Sequence, residues 1–313
     1  MDDDVSLRRL VTSWHRRATV RSDEYHWQAG AGLDRDARDY PTTAVPFWDH
    51  PSFQAFDAET QRQVLTLGWI VYNRRTIDAE QYIANPAFGL VFEGRLPGSV
   101  TPLVAMAMQQ SMVDEHFHSM MHLAAIQGTC DLRGLAVEPR FLPAITYREY
   151  ETLRLAMAEK WERDLLLFTY ALVSEVSINA YLDVLAADVT VQPMHRTIAD
   201  LHNRDERAHS RILILLAKAM YPHMSSLERR AFLGFLPGAL DAFLKQDLLV
   251  WKAILQMVGV AEAEADTILG DSRPQDGVDH LSRDYSGLHG VAQELDIIDE
   301  LEFDFALSTK QAR

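Results

Sequence analysis

The most apolar stretch of the chain, residues 165–182, carries a carboxylate at its centre, Glu175, with Ser174 and Ser177 beside it. The stretch is about as long as a bilayer span, but a carboxylate at mid-span costs about 3 kcal/mol or more in lipid. It therefore reads as a helix buried inside a soluble protein. An apolar core keeps an ionisable group only where a partner or a cation neutralises it.

The rest of the chain also reads as helices. Strand signals are few, and the best, residues 88–92, is short. A first long helix is predicted over about 58–84, capped by Asp57 and stopped by Asn85-Pro86, because the residue before proline disfavours helical backbone. A second runs from Thr101-Pro102 to about 127, where Gly128 ends it. A long irregular connection over 129–150 leads to a third helix over about 151–187, and a fourth spans about 193–221. Shorter helices are expected at about 226–235, opened by a capping box of Ser225 and Glu228, and at 238–258. The tail after Gly270 reads as loop. Four long helices with short, long and short connections make an all-α, ferritin-like four-helix bundle. Its long crossover lies between the second and third helices, and additional helices flank it. The expectation is one domain over 1–313, with a helical core at about 55–258 and flanking segments 1–54 and 259–313.

Two of these helices repeat one motif. The second contains Asp114-Glu115-His116-Phe117-His118 and the fourth Asp205-Glu206-Arg207-Ala208-His209, so both hold Glu-x-x-His. Positions three apart on a helix differ by only about 60°, so each Glu and His can chelate one cation. The first and third helices each add a central carboxylate, Glu80 and Glu175. The order Glu80, Glu115/His118, Glu175, Glu206/His209, at separations of 35, 60 and 31 residues, is the ligand arrangement of carboxylate-bridged di-iron and di-manganese bundles. Two divalent ions balance four carboxylates, and oxygen with imidazole suits iron or manganese. Glu115 and Glu206 would bridge the ions, Glu80 and His118 would complete one, and Glu175 and His209 the other. His202, four residues before Glu206, is a candidate third imidazole on the ion of Glu175 and His209, and His122 is its rival. His116 faces away. His15, His26, His50 and His289 carry no recognisable spacing, and Met106, Met108, Met112, Met120 and Met121 read as packing.

Composition narrows the class. A formal charge of −15 argues against nucleic acid, which needs a basic face. The single cysteine, Cys130, excludes an internal disulfide and a thiolate zinc site. Acidic residues follow Met1 where a signal peptide needs basic ones, so a cytoplasmic protein with no membrane partner is expected.

The set Glu80, Glu115-x-x-His118, Glu175 and His202-x-x-x-Glu206-x-x-His209 resembles the di-iron arylamine N-oxygenases of the p-aminobenzoate N-oxygenase type, over about residues 55–215. The resemblance implies seven metal ligands, with His202 rather than His122 as the seventh. It implies O2-dependent oxidation of an amine, an arylamine or one derived from an amino acid, to hydroxylamine, nitroso or nitro products, in secondary metabolism. Two Fe ions would act through a peroxo species, with electrons from an external donor, a separate reductase. Tyr72 and Arg75 stand where such enzymes place substrate contacts, and a homodimer is implied. Related classes share the six-ligand pattern: hydrocarbon hydroxylases and desaturases, ribonucleotide reductase radical subunits, and iron-storage proteins. The radical subunits resemble chains with a tyrosine where this one has His122. Storage chains are much shorter, and the third histidine separates this chain from the rest.

Overall fold

A computed structural model describes residues 2–22, 32–98, 100–274, 281 and 283–307. Its α-helices are α1 (Asp2–Arg17), α2 (Pro51–Gln54), α3 (Ala58–Ala79), α4 (Asn85–Phe92), α5 (Pro102–Arg133), α6 (Ile145–Ala156), α7 (Lys160–Ala187), α8 (Pro193–Met220), α9 (Ser226–Leu244), α10 (Leu248–Met257), α11 (Glu262–Asp271) and α12 (Ser286–Glu294). No strand forms among the described residues; the only β pairing there is an isolated bridge of Arg38 with Val191. Helix α7 packs on α8, α3 on α5, and α5 on α8, giving the all-α, ferritin-like bundle. α7 is long and apolar enough to cross a membrane, but 72% of its apolar window is buried inside the protein. Helix α12 closes over it at Gly287, where a Cβ would stand 2.3 Å from the Val176 carbonyl oxygen.

Two large apolar clusters fill the bundle among the described residues, with a small third one of Ile70, Ile77, Ile126 and Cys130. One gathers Phe88, Met108, residues of α7 up to Val173 and residues of α8 from Ile212. The other gathers Tyr72, Met121, Leu182 and Ala199. On every core helix the predicted ligands fall in the interval between the two clusters. The polar belt is thus sealed at both ends by hydrocarbon, which is where buried charge most needs a partner.

Several boundaries differ from expectation. The first helix does not stop at Asn85-Pro86. It widens into one π turn, Glu80–Ala84, in which the Asn85 N–H bonds the Glu80 carbonyl, and continues as α4. The π turn shifts the ladder by one residue, so Pro86 sits at the start of a renewed helix, where it has no N–H to lose. Residues 88–92, the best strand candidate, belong to α4, because a short apolar run reads alike in both states. Helix α5 runs through Gly128 to Arg133 and ends at Gly134, whose φ of 69° lets the Leu135 N–H bond the Cys130 carbonyl at 2.9 Å. The predicted third helix is two, α6 and α7, broken at 157–159. The capping box at Ser225 forms, but α9 continues through Pro237 to Leu244, and α10 takes only the end of the expected second short helix. The tail holds α12.

Candidate metal centre

The seven predicted ligands meet inside the bundle and all are buried. Glu80, His118 and His202 each offer an atom within 4.8 Å of the others, and Glu115, Glu175, Glu206 and His209 form a second such group. Between them, His118 Nδ1 lies 3.3 Å from Glu206 Oε1 and 3.6 Å from Glu115 Oε2, while His209 Nδ1 lies 3.4 Å from Glu206 Oε1 and 2.7 Å from Glu115 Oε1. Glu115 and Glu206 therefore sit between the two Glu-x-x-His imidazoles, as bridging would require.

One pairing needs correction. His202 was expected beside Glu175 and His209, but its Nε2 lies 3.5 Å from Glu80 Oε1, and its ring centre is 4.2 Å from that of His118. The wheel angle was right and the level was wrong. Seven residues of α8 span roughly 10 Å of helix rise. Because α5 and α8 run antiparallel, the early end of the motif on α8 meets the late end on α5.

The donor atoms fit a pair of cations. Glu80 Oε1, both oxygens of Glu115, Glu175 Oε2, His118 Nδ1 and His209 Nδ1 are buried and, despite their short separations, have no partner in hydrogen-bonding alignment among the described residues. Orphaned polar atoms are rare in protein interiors, and here six fall on three carboxylates and two imidazoles that converge. Burial, reinforced by the Glu115 charge, pushes the Glu80 carboxyl well above its usual range. Burial, with Glu206 and Glu115, does the same to Glu175. Glu206 is held well below that range, because His209, His118 and His202 outweigh its burial. His118 and His209 are raised well above the ordinary imidazole value, their carboxylate neighbours overcoming burial. Protons and metal ions thus compete for one set of atoms.

Outer partners that the motif reading did not identify orient these ligands. Asp205 accepts from His118 Nε2 at 3.2 Å, and Asp114 accepts from His209 Nε2 at 3.2 Å. Each aspartate thus braces the histidine of the opposite helix and turns its Nδ1 inward. The N-terminal segment secures both. Trp14 Nε1 donates to Asp114 at 2.9 Å, the Thr19 N–H donates to Asp205 at 3.0 Å, and Arg17 lies 3.7 Å from Asp205. The available signal was Asp before Glu in both copies of the motif. His122 is an outer partner of His202, and His116 is exposed. Met108 and Met121 are core residues, but Met106 and Met120 lie on the surface, against the packing expected of them. His26 lies outside the described residues.

A cavity of about 160 Å³ opens onto Glu80, Glu115, Glu175, His202 and Glu206, and its wall includes Tyr72 and Arg75. Arg75 bonds the Phe243 carbonyl oxygen and lies 5.4 Å over the Phe243 ring. Among the described residues no carboxylate pairs with it. Tyr72 Oη is buried with no hydrogen-bond partner among the described residues.

The family model described as p-aminobenzoate N-oxygenase AurF matches residues 2–296. The 4-aminobenzoate N-oxygenase of Streptomyces thioluteus is 42% identical over 301 residues, covering 96% of this chain and 89% of that protein. The chain belongs to the p-aminobenzoate N-oxygenase family and is a monooxygenase that oxidises amine nitrogen.

Proposed function

We propose that Glu80, Glu115, His118, Glu175, His202, Glu206 and His209 hold two iron ions, and that the cavity beside them takes an arylamine bearing a carboxylate, with 4-aminobenzoate as the nearest precedent. The observation that carries this reading is the set of unbonded carboxylate oxygens of Glu80, Glu115 and Glu175 on the wall of a cavity that also bears Arg75, an arginine without a carboxylate partner among the described residues.

Two ferrous ions bound there supply the activation of O2 and its transfer to nitrogen. The first oxidation consumes O2, two electrons and two protons, and converts the amine to a hydroxylamine and water. The protein's own part is positional. Arg75 and the free hydroxyl of Tyr72 hold the acid group of the substrate, a planar fork and a hydroxyl suited to carboxylate oxygens. The amine is thereby turned toward the carboxylate and imidazole cluster, and the apolar layers above and below exclude bulk water. Electrons come from a separate reductase.

The chain works as one domain in the cytoplasm, with its core at about 55–258. It pairs as a homodimer. Support for pairing is the exposed stripe Met106, Val113 and Met120 on α5, seven residues apart, with Leu123 beside it.

Reconstitution with Fe(II) should give two irons per chain. The reduced protein, given 4-aminobenzoate and ¹⁸O2, should form N-oxygenated products carrying the label, read by mass spectrometry. Iron binding near zero ends this reading.

A further inference from the structure

Ser174 and Ser177 lie on the wall of the cavity, on either side of Glu175, and both are 7% exposed. Neither hydroxyl has a hydrogen-bond partner among the described residues. A serine inside a helix can bond the carbonyl one turn back, and these two do not. The neighbouring threonines do settle on backbone. Thr76 Oγ1 donates to the Tyr72 carbonyl at 3.1 Å, Thr146 Oγ1 to the Ala242 carbonyl at 3.1 Å, and Thr169 Oγ1 to the Leu165 carbonyl at 2.8 Å. A plain aminobenzoate has two polar ends, the amine and the acid. The metal ligands and the Arg75–Tyr72 pair account for both, which leaves two buried hydroxyls facing an unsubstituted ring edge. Leaving buried polar groups unmatched is costly, and a site built around them rejects a ligand that lacks the matching group.

We infer that Ser174 and Ser177 are specificity residues that bind a ring hydroxyl, so that the preferred substrate is a hydroxylated aminobenzoate. A phenolic hydroxyl both donates and accepts, and two serine hydroxyls from one helix face can serve it on both counts. This rests on the arylamine reading above and extends it to the ring.

The test compares 4-aminobenzoate, 4-amino-2-hydroxybenzoate and 4-amino-3-hydroxybenzoate. Dissociation constants are measured by calorimetry on the iron-loaded full chain under argon, and kcat/KM under O2. One hydroxylated acid should bind and turn over about tenfold or more better than 4-aminobenzoate. In Ser174→Ala/Ser177→Ala that ratio should fall toward one, with the helical circular dichroism signal retained. A ratio near one in the unaltered protein overturns the inference, since ordered water then satisfies the two serines. So does a preference that survives the double substitution. If none of the three is oxidised at nitrogen while iron is bound, the arylamine reading falls as well. Oxidation of 4-aminobenzoate with no hydroxyl preference removes the serine inference alone.

Discussion

Nε2 of His122 lies 3.0 Å from Nδ1 of His202, and the proton between them belongs to His202. The assignment follows from the far end of the network. Asn73 Nδ2 donates to the Trp69 carbonyl at 2.7 Å, which fixes Asn73 Oδ1 as the atom facing His122 Nδ1 at 2.7 Å. That oxygen can only accept, so His122 carries its proton on Nδ1 and accepts at Nε2. Burial, then the neighbouring His202 and His118, holds His122 well below the usual imidazole range, and burial and His118 lower His202, so both rings are neutral. His202 is left with a bare Nε2 lone pair aimed at Glu206 Oε1, 3.0 Å away. His122→Leu should therefore weaken one of the two metal sites, that of Glu80, His118 and His202, by roughly 10- to 100-fold. Chelator competition would measure it, and unaltered affinity would reduce His122 to a packing residue.

The aspartate braces make a crossed prediction. Asp114 lies on α5 but orients His209 of α8, and Asp205 lies on α8 but orients His118 of α5. Asp114→Ala should weaken the ion bound by Glu115, Glu175, Glu206 and His209, and Asp205→Ala the ion bound with His118, each by roughly 10- to 100-fold. Stepwise metal titration of the two variants separates the sites. Loss of the ion on the mutated residue's own helix would refute the crossing.

The bundle and the convergence of Glu80, Glu175 and the two Glu-x-x-His pairs were legible because each depends on local periodicity, whereas the choice of His202 over His122 came from the family resemblance. Glu-x-x-His, an internal Glu175 and an extra His202 are all statements about one helix face. What periodicity cannot give is the level at which one helix meets another, and His202 was accordingly joined to the wrong ligand group. The π turn at Glu80 escaped notice for a related reason. Pro86 marks a break in the ladder of hydrogen bonds, and sequence alone does not distinguish a stop from a one-residue shift. Gly128 reads as a terminus because its propensity is poor, yet packing of α5 against the bundle outweighs roughly 1 kcal/mol of propensity.

The Arg75 assignment predicts a substrate-dependent penalty. Arg75→Gln should lower kcat/KM for 4-aminobenzoate roughly 30- to 160-fold, equivalent to about 2–3 kcal/mol, within the usual worth of a hydrogen bond to a charged group. Aniline, which has no acid group, should lose little. Equal losses on the two amines would show that Arg75 supports the cavity wall through Phe243 rather than binding the substrate.

His195 makes the fold pH-sensitive away from the metal ligands. It is 1% exposed and stacks on Trp69 with ring centres 3.9 Å apart. Its Nδ1 faces the Asp39 carbonyl oxygen at 2.9 Å and its Nε2 faces Thr129 Oγ1 at 3.2 Å. Burial pushes its pKa down to about 4, against the opposing pull of Asp39. A lowered folded value means that the unfolded chain takes up the proton first as pH falls. The stability His195 contributes is therefore intact above about pH 6.5 and is lost as pH falls from there toward 4. Between pH 7 and pH 5 the loss should be about 2 kcal/mol. Urea unfolding of the unaltered protein and of His195→Gln at both pH values isolates it, since carboxylate and metal-ligand titrations are common to the two. The variant should start less stable and lose about 2 kcal/mol less on acidification; parallel losses would place His195 outside the acid response of the fold.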